Sequence, residues 1–362
     1  MSGDNSFQYL TTPEQVQAWL QAAQAADWLA VDTEFVREST YAPQLCLVQL
    51  AGAPGIALVD VLALGGLDPL RAALESGPRK LMHSPGQDLE AFATCGVQRI
   101  APLFDTQTAH ALLGGATQIG YAGIVEQRLG IAVDKGQTRT DWSRRPRRPV
   151  APRSAADDVR HLAALEALLR EQLEAAGRGA WMDEEMARWE QPWAPVDPLA
   201  MALRSRGLER LEPAEQRVYA ALVVWREDRA RRADKPRSWI AKDGLLHALA
   251  RRRPETLDAL RAVPDLPPGL LRHQGSVLLD VVAGAPQQVS ELPAPLPRAA
   301  LKALQKALAE VAQRLGIEPA VLASRGDCER WLRSGEGLLA GGWRAQEAAA
   351  VLAAHPPLQP PD

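Results

Sequence analysis

Cysteine is scarce in this chain of 362 residues, and its three positions, Cys46, Cys95 and Cys328, lie far apart. With no C-x-x-C pair and no histidine clustered beside them, neither a thiolate zinc site nor a disulfide framework is indicated. They are expected to be small buried hydrophobes. Long apolar runs are lacking too: no stretch approaches the ~18 residues of a membrane span, which argues against a helical membrane protein. The opening MSGDNSFQYL has neither a basic region nor an apolar one, so a cytoplasmic location is the expectation. Lysine is rare, six residues against 35 arginines (41 − 6). The net charge of −3 hides two basic stretches, with eight basic against three acidic residues at 135–160 and fourteen against seven at 204–253. Each suits phosphate, and each equally suits a solvated helix face.

Against this background one stretch stands out. WLAVDTEF, residues 28–35, is an apolar, β-branched run that reads as a central strand, and two carboxylates sit at its end. Side chains alternate along a strand, so Asp32 and Glu34 project from one face roughly 7 Å apart, while Thr33 and Phe35 point to the other. A solvated strand end would account for a lone D-x-E. Hard oxygen ligands on a rigid element also suit Mg²⁺ or Mn²⁺.

The neighbouring pattern is mixed α/β. A helix is expected over 13–26, then strands at 28–35, 45–50 and 56–59 whose short connections suggest antiparallel neighbours. Helix and strand then alternate: a helix near 68–76, a strand at 80–83, and a helix opened by Ser84-Pro85-Gly86-Gln87, which reads as a capping box with Pro at the first helical position. Asp88 falls in that helix's first turn, where the helix dipole favours a carboxylate in any case. Residues 102–115 continue the alternation, and a helix at 121–129 ends at Gly130. The polar, proline-broken KGQTRTDWSRRPRRP at 135–149 reads as a basic loop with one tryptophan, suited to a nucleic-acid backbone and a stacked base or simply to solvent. A long helix is expected over 155–175 with the stripe Leu162, Leu165, Leu169 and Leu173, and one step back along that stripe lies Asp158. An acid in register with leucines is costly unless neutralised or bound to a cation. Asp157, rotated by about 100°, should be solvated.

These motifs, DTEF at 32–35, HSPGQDLEAF at 83–92, LFDTQ at 103–107, DKGQTRTDW at 134–142 and AADDV at 155–159, resemble those of ribonuclease D, a DEDD-type 3′-5′ exonuclease on a ribonuclease H-like fold. The resemblance covers roughly residues 8–175. It implies an α/β domain with a mixed sheet flanked by helices, and it matches Asp32, Glu34, Asp88 and Asp158 to the four metal-binding acids, the same four that the residue pattern had singled out. It further implies two Mg²⁺ or Mn²⁺ ions, an in-line displacement at the RNA 3′ end, and substrate contacts from Thr33, Phe35, His83, Lys135, Arg139 and Trp142. The sequence departs from the family at one position. Where the family has a tyrosine four residues before the last acid stands Ser154, and the histidine of the related subgroup is replaced by Arg153. With Pro149 and Pro152 in the way, the helix is expected to start late, with Ser154 near its N-cap. General acid–base help is worth about 10²- to 10⁴-fold, so a slowed enzyme is implied.

The C-terminal half reads as all-α. Residues 181–205, with three Trp and three Pro between 181 and 198, are expected to link the exonuclease domain, 1–180, to two helical domains at 206–286 and 290–358. Leu322 set against Ile240 suggests a repeat of 82 residues (322 − 240). Both blocks resemble HRDC domains, the first through WIAKDGLLHAL and the second through LASRGDCERWL. In the first, Arg226, Arg229, Arg231, Arg232, Lys235 and Arg237 are placed to face phosphates or solvent. The resulting expectation is a monomeric 3′-5′ exoribonuclease acting on RNA with a single-stranded 3′ end, such as tRNA precursors. The alternatives are an RNA-binding protein with a degenerate site, or a DNA exonuclease.

Overall fold

The computed structural model describes residues 6–133, 141–145, 151–205, 207–290, 292 and 296–358, with the side chains of 151–154 outside the description. Its first elements are β1 (Gln8–Leu10), α1 (Pro13–Ala23), β2 (Trp28–Val36), β3 (Gln44–Gly52), β4 (Gly55–Asp60), α2 (Val61–Leu64), α3 (Asp68–Glu75), β5 (Arg79–Met82), α4 (Gly86–Thr94), β6 (Leu103–Asp105), α5 (Thr106–Leu112), α6 (Tyr121–Leu129), α7 (Ala151–Arg160), α8 (Leu162–Ala175) and α9 (Gly179–Trp189). The six strands form one mixed sheet in the order β1-β4-β3-β2-β5-β6. β2, β3 and β4 are antiparallel neighbours as their short connections required, and β5 and β6 run parallel to β2 on its other side. β3 is buried almost from end to end, and with Leu29, Ala30 and Val31 of β2 it forms the middle of the core. α6 ends as its sequence directs, at Gly130 in the left-handed conformation that glycine adopts without penalty.

Two helix starts differ from expectation. Ser84 does not cap α4, because its backbone is left-handed (φ 57°) and its N–H donates to Asp105 Oδ1 at 2.8 Å. Pro85 takes the cap position, and Asp88 still falls in the first turn. α7 begins at Ala151 rather than after Ser154, since Pro152 lies in its first turn, where the missing N–H has no helical partner to lose. Ser154 is therefore inside a helix. The long helix expected over 155–175 breaks at His161, whose N–H goes to the Tyr121 hydroxyl at 3.0 Å instead of to a helical carbonyl.

The chain divides into two compact units, residues 1–36, 44–193 and 296–362 in the first and residues 37–43 and 194–295 in the second. The second is helical: α10 (Pro198–Leu203), α11 (Pro213–Ala233), α12 (Arg237–Ile240), α13 (Asp243–Arg252), α14 (Leu257–Arg261) and α15 (Pro268–Gln288) enclose a core including Tyr219, Leu222, Leu246 and Leu278. Of its basic residues, Arg226 is buried against Asp243 at 2.5 Å and Arg237 pairs with Glu227 at 2.6 Å, so these two are committed to the fold and not free for phosphate. The first unit ends with α16 (Arg298–Leu315), α17 (Pro319–Leu322), α18 (Arg325–Ser334), α19 (Gly342–Glu347) and α20 (Ala349–Ala354). Both bounds of α17 and of α18 lie 82 residues beyond those of α12 and α13 (319 − 237, 334 − 252), so the repeat extends over two helices.

This last block does not stand apart. The stretch at 181–189, expected to open a linker, is the body of α9, whose buried Met182, Glu185 and Met186 face into the unit. Trp181 stacks on Trp343 with ring centroids 4.2 Å apart, and Glu185 accepts from Trp343 Nε1 at 3.0 Å and from the buried Arg344. Arg188 also pairs with Glu185 at 2.6 Å, and a buried carboxylate between two arginines and an indole is a specific seam, not a tether.

Candidate active site

Three elements bring the four acids together. Asp32 and Glu34 come from β2, Asp88 from the first turn of α4, and Asp158 from α7, which packs across β2, β3 and β4. A bulge between Glu34 and Phe35 shifts the register of β2 against β3, a device that re-aims side chains at a strand end. Asp88 is buried, and Asp32 and Asp158 are half-buried. Burial, followed by the charges of Asp88, Asp158 and Glu34, holds the Asp32 carboxyl well above the ordinary carboxylate range. Burial also pushes Asp88 to about 6, partly opposed by the Thr33 hydroxyl that donates to it. Asp158 is pushed to about 7 by burial and then by Asp157. Asp157, expected to be solvated, is instead half-buried, with 28% of its side chain exposed, and pairs with Arg160 at 2.8 Å.

A cluster of carboxylates that resist ionisation is one that a multivalent cation would satisfy. A second observation points the same way. Gln49 stands directly opposite Asp32 in the β2–β3 ladder, is 0% exposed, and has no hydrogen-bond partner for either side-chain amide atom among the described residues. Buried amides are nearly always bonded, so this one fits a site that holds an ion's water shell. No three His, Cys, Asp or Glu side chains among the described residues stand at closed ligand spacing. Asp32, Glu34, Asp88 and Asp158 are the residues that would hold a divalent ion here.

The other expected contacts are placed differently. Thr33 is buried and its hydroxyl is spent on Asp88, so it steadies an acid instead of reaching a nucleotide. His83 is not available to substrate: Nε2 meets the Ile119 carbonyl at 2.9 Å, Nδ1 meets Thr106 Oγ1 at 2.9 Å, and burial lowers its pKa, keeping the ring neutral. Trp142, expected to stack on a base, is 7% exposed and belongs to the core. Its neighbour Arg145 grips Asp60 through two bonds of 2.6 and 2.8 Å, which folds this end of the basic loop onto β4. Phe35 is half-buried against the core. Lys135 and Arg139 lie outside the described residues, as does the side chain of Ser154.

Residues to which sequence reasoning gave no role complete the frame. Asp105, in the LFDTQ motif, caps α5 through the Gln107 and Thr108 amides and holds the Ser84 amide that precedes α4. Gln49 was visible as the one amide inside an apolar LCLVQLAG run. Tyr121 opens α6 directly after Gly120, with its ring edge-on to His83 at 6.0 Å.

A mixed sheet whose central strand β2 meets acids carried by α4 and α7 is the arrangement of a nuclease of the exonuclease class. A family model for 3′-5′ exonucleases matches residues 7–174, and one for the HRDC domain matches 215–282. The chain is 38% identical over 334 residues to ribonuclease D of Xanthomonas oryzae pv. oryzae, covering 88% of this chain and 89% of that protein. It is 31% identical over 376 residues to ribonuclease D of Escherichia coli, covering 96% and 97%. The crystal structure of E. coli RNase D, described as an exoribonuclease involved in structured RNA processing, superposes with a TM-score of 0.83 at 29% identity over 97% of this chain and all of that one. The chain belongs to the ribonuclease D family. It is a 3′-5′ exoribonuclease, of a family that depends on divalent metal ions.

Proposed function

We propose that this enzyme trims the 3′ ends of structured RNAs, tRNA precursors among them, by a two-metal displacement at the terminal phosphodiester. The observation that carries this reading is the convergence of Asp32 and Glu34 on β2, Asp88 on α4 and Asp158 on α7, both helices being packed on β2. Two Mg²⁺ or Mn²⁺ ions held there would supply a hydroxide nucleophile and shield the charge on the departing 3′ oxygen. The protein's part is to hold four oxygens ready: β2 fixes Asp32 and Glu34, Thr33 orients Asp88, and α7 carries Asp158. The second unit contains the first HRDC-like domain, at 206–286, and 290–358 is a second, supported by the 82-residue recurrence. The enzyme is expected to act as a cytoplasmic monomer. No helix among the described residues is long and apolar enough to cross a membrane.

The raised acids give this reading a pH signature. Asp88 and Asp158 bind protons more tightly folded than unfolded, so the stability they contribute is complete below about pH 4, their unfolded range, and is lost as pH rises through about 6 and about 7. Metal-free protein should therefore melt lower at pH 8 than at pH 5, all else equal at these residues. Mg²⁺ or Mn²⁺ should raise the melting temperature at pH 8 and do little at pH 5, where ions compete with protons. Scanning fluorimetry in chelator and in metal checks both, and an equal metal shift at the two pH values would contradict the assignment.

Ser154 gives a second test. It lies in α7 one turn before Asp158, on the same helix face. A tyrosine there would place a hydroxyl beside the acids, and Ser154→Tyr should raise turnover about tenfold, within the range of general acid–base help. A turnover no higher than that of the natural protein would remove position 154 from the chemistry.

A further inference from the structure

The Tyr121 side chain is held with unusual redundancy. Its helix begins after a turn whose Ile119 carbonyl accepts from both His83 Nε2 and Gln107 Nε2 at 2.9 Å, and its ring packs edge-on to His83. Its hydroxyl oxygen accepts the His161 N–H at 3.0 Å, at the break between the helix bearing Asp158 and the next one. Among the described residues nothing accepts the hydroxyl proton. The phenol is half-buried, and after burial itself the charges it feels are those of Asp158, Asp32 and Asp157. It thus lies within the field of the acid cluster, keeps its proton, and points a donor that the fold does not use.

A neutral donor near Asp158 and Asp32 has no protein function there that a phenylalanine would not serve, apart from the bond to His161. An RNA phosphate supplies what is missing. Its nonbridging oxygens are strong acceptors whose charge grows as the fifth bond to phosphorus forms, and a fixed donor at that point lowers the barrier. We propose that Tyr121 is a catalytic residue whose hydroxyl donates a hydrogen bond to a nonbridging oxygen of the scissile phosphate. No bond to oxygen or phosphorus is made or broken by the tyrosine, and its proton stays on the phenol throughout. This rests on the exonuclease reading above, and the test separates the two.

The test uses full-length natural protein, Tyr121→Phe and Asp32→Asn. The substrates are RNAs whose last linkage is all-oxygen or one of the two phosphorothioate diastereomers. Affinity for a nucleoside 5′-monophosphate is titrated separately in Ca²⁺. Tyr121→Phe should lower kcat on the all-oxygen RNA about 10²-fold and weaken monophosphate binding severalfold. On the diastereomer whose sulfur replaces the contacted oxygen the Phe penalty should shrink to about twofold, because the interaction is already lost there. Activity within twofold of natural, an equal loss on all three substrates, unchanged monophosphate affinity, or a Phe variant that does not fold would each overturn the role and leave Tyr121 as a prop for His161. Cleavage by natural protein that vanishes in Asp32→Asn shows that the exonuclease reading stands whichever way Tyr121 falls.

Discussion

Asp32→Asn is expected to lower 3′-end shortening by roughly 10³-fold, above the 10- to 100-fold typical of losing a residue that only orients a metal ligand. The carboxylate sits where the fields of Asp88, Asp158 and Glu34 meet, so it would be the acid whose loss most weakens cation binding at the cluster. The same substitution should stabilise the metal-free protein. Burial and three like charges oppose ionisation of Asp32, and a neutral isostere removes that cost. Melting in chelator at pH 8 should therefore rise while activity falls, a trade expected wherever function holds charges together. Isothermal titration with Mn²⁺ completes the comparison through loss of at least one binding event. A variant that keeps natural activity, or that melts lower without metal, would place the ions elsewhere.

Arg344→Ala is expected to destabilise the first unit by about 3–5 kcal/mol, the usual cost of removing one partner from a buried ion pair. Arg344 is 7% exposed, binds Glu185, and donates to the Leu322 and Val321 carbonyls at 2.9 Å each. Burial alone would push the Glu185 carboxyl up, but Arg344, Trp343 and Arg188 reverse this and leave it below the ordinary carboxylate range. Truncation strands that carboxylate in the seam with α9. Urea unfolding followed by tryptophan fluorescence should show an earlier midpoint, because Trp181 and Trp343 lie stacked in the same seam. The double variant Glu185→Leu, Arg344→Met should recover much of the loss, since an apolar pair leaves no charge unpaired. An unchanged midpoint in Arg344→Ala would mean that the seam carries no weight.

The sequence made the α/β architecture and the acids legible for physical reasons. A strand's period of two puts Asp32 and Glu34 on one face, and the leucine stripe of the later helix points back to Asp158. What it concealed were contacts between distant segments. Ser84 to Gln87 satisfies the capping-box pattern, but Asp105 takes the Ser84 amide and overrides it. The inward face from Asp158 to Leu173 keeps its register across His161, yet a hydroxyl forty residues earlier breaks the helix there. Trp142 reads as a surface aromatic because its neighbours are basic, and nothing in its own stretch reveals the core that receives it. The second helical block reads as a separate domain for the same reason: Glu185 and Arg344 are 159 residues apart, and no local pattern pairs them.

We propose that four acids from β2, α4 and α7 run a metal-dependent shortening of RNA from its 3′ end. Its most direct measurement is a time course on a 5′-labelled RNA with a single-stranded 3′ tail, with Mg²⁺ or Mn²⁺ and again with chelator. The expected result is a ladder of labelled products shortening one nucleotide at a time from the 3′ end, stopped by chelator and restored by added metal. Intact RNA that remains bound to the protein, internal cuts, or early release of the 5′ label would contradict it.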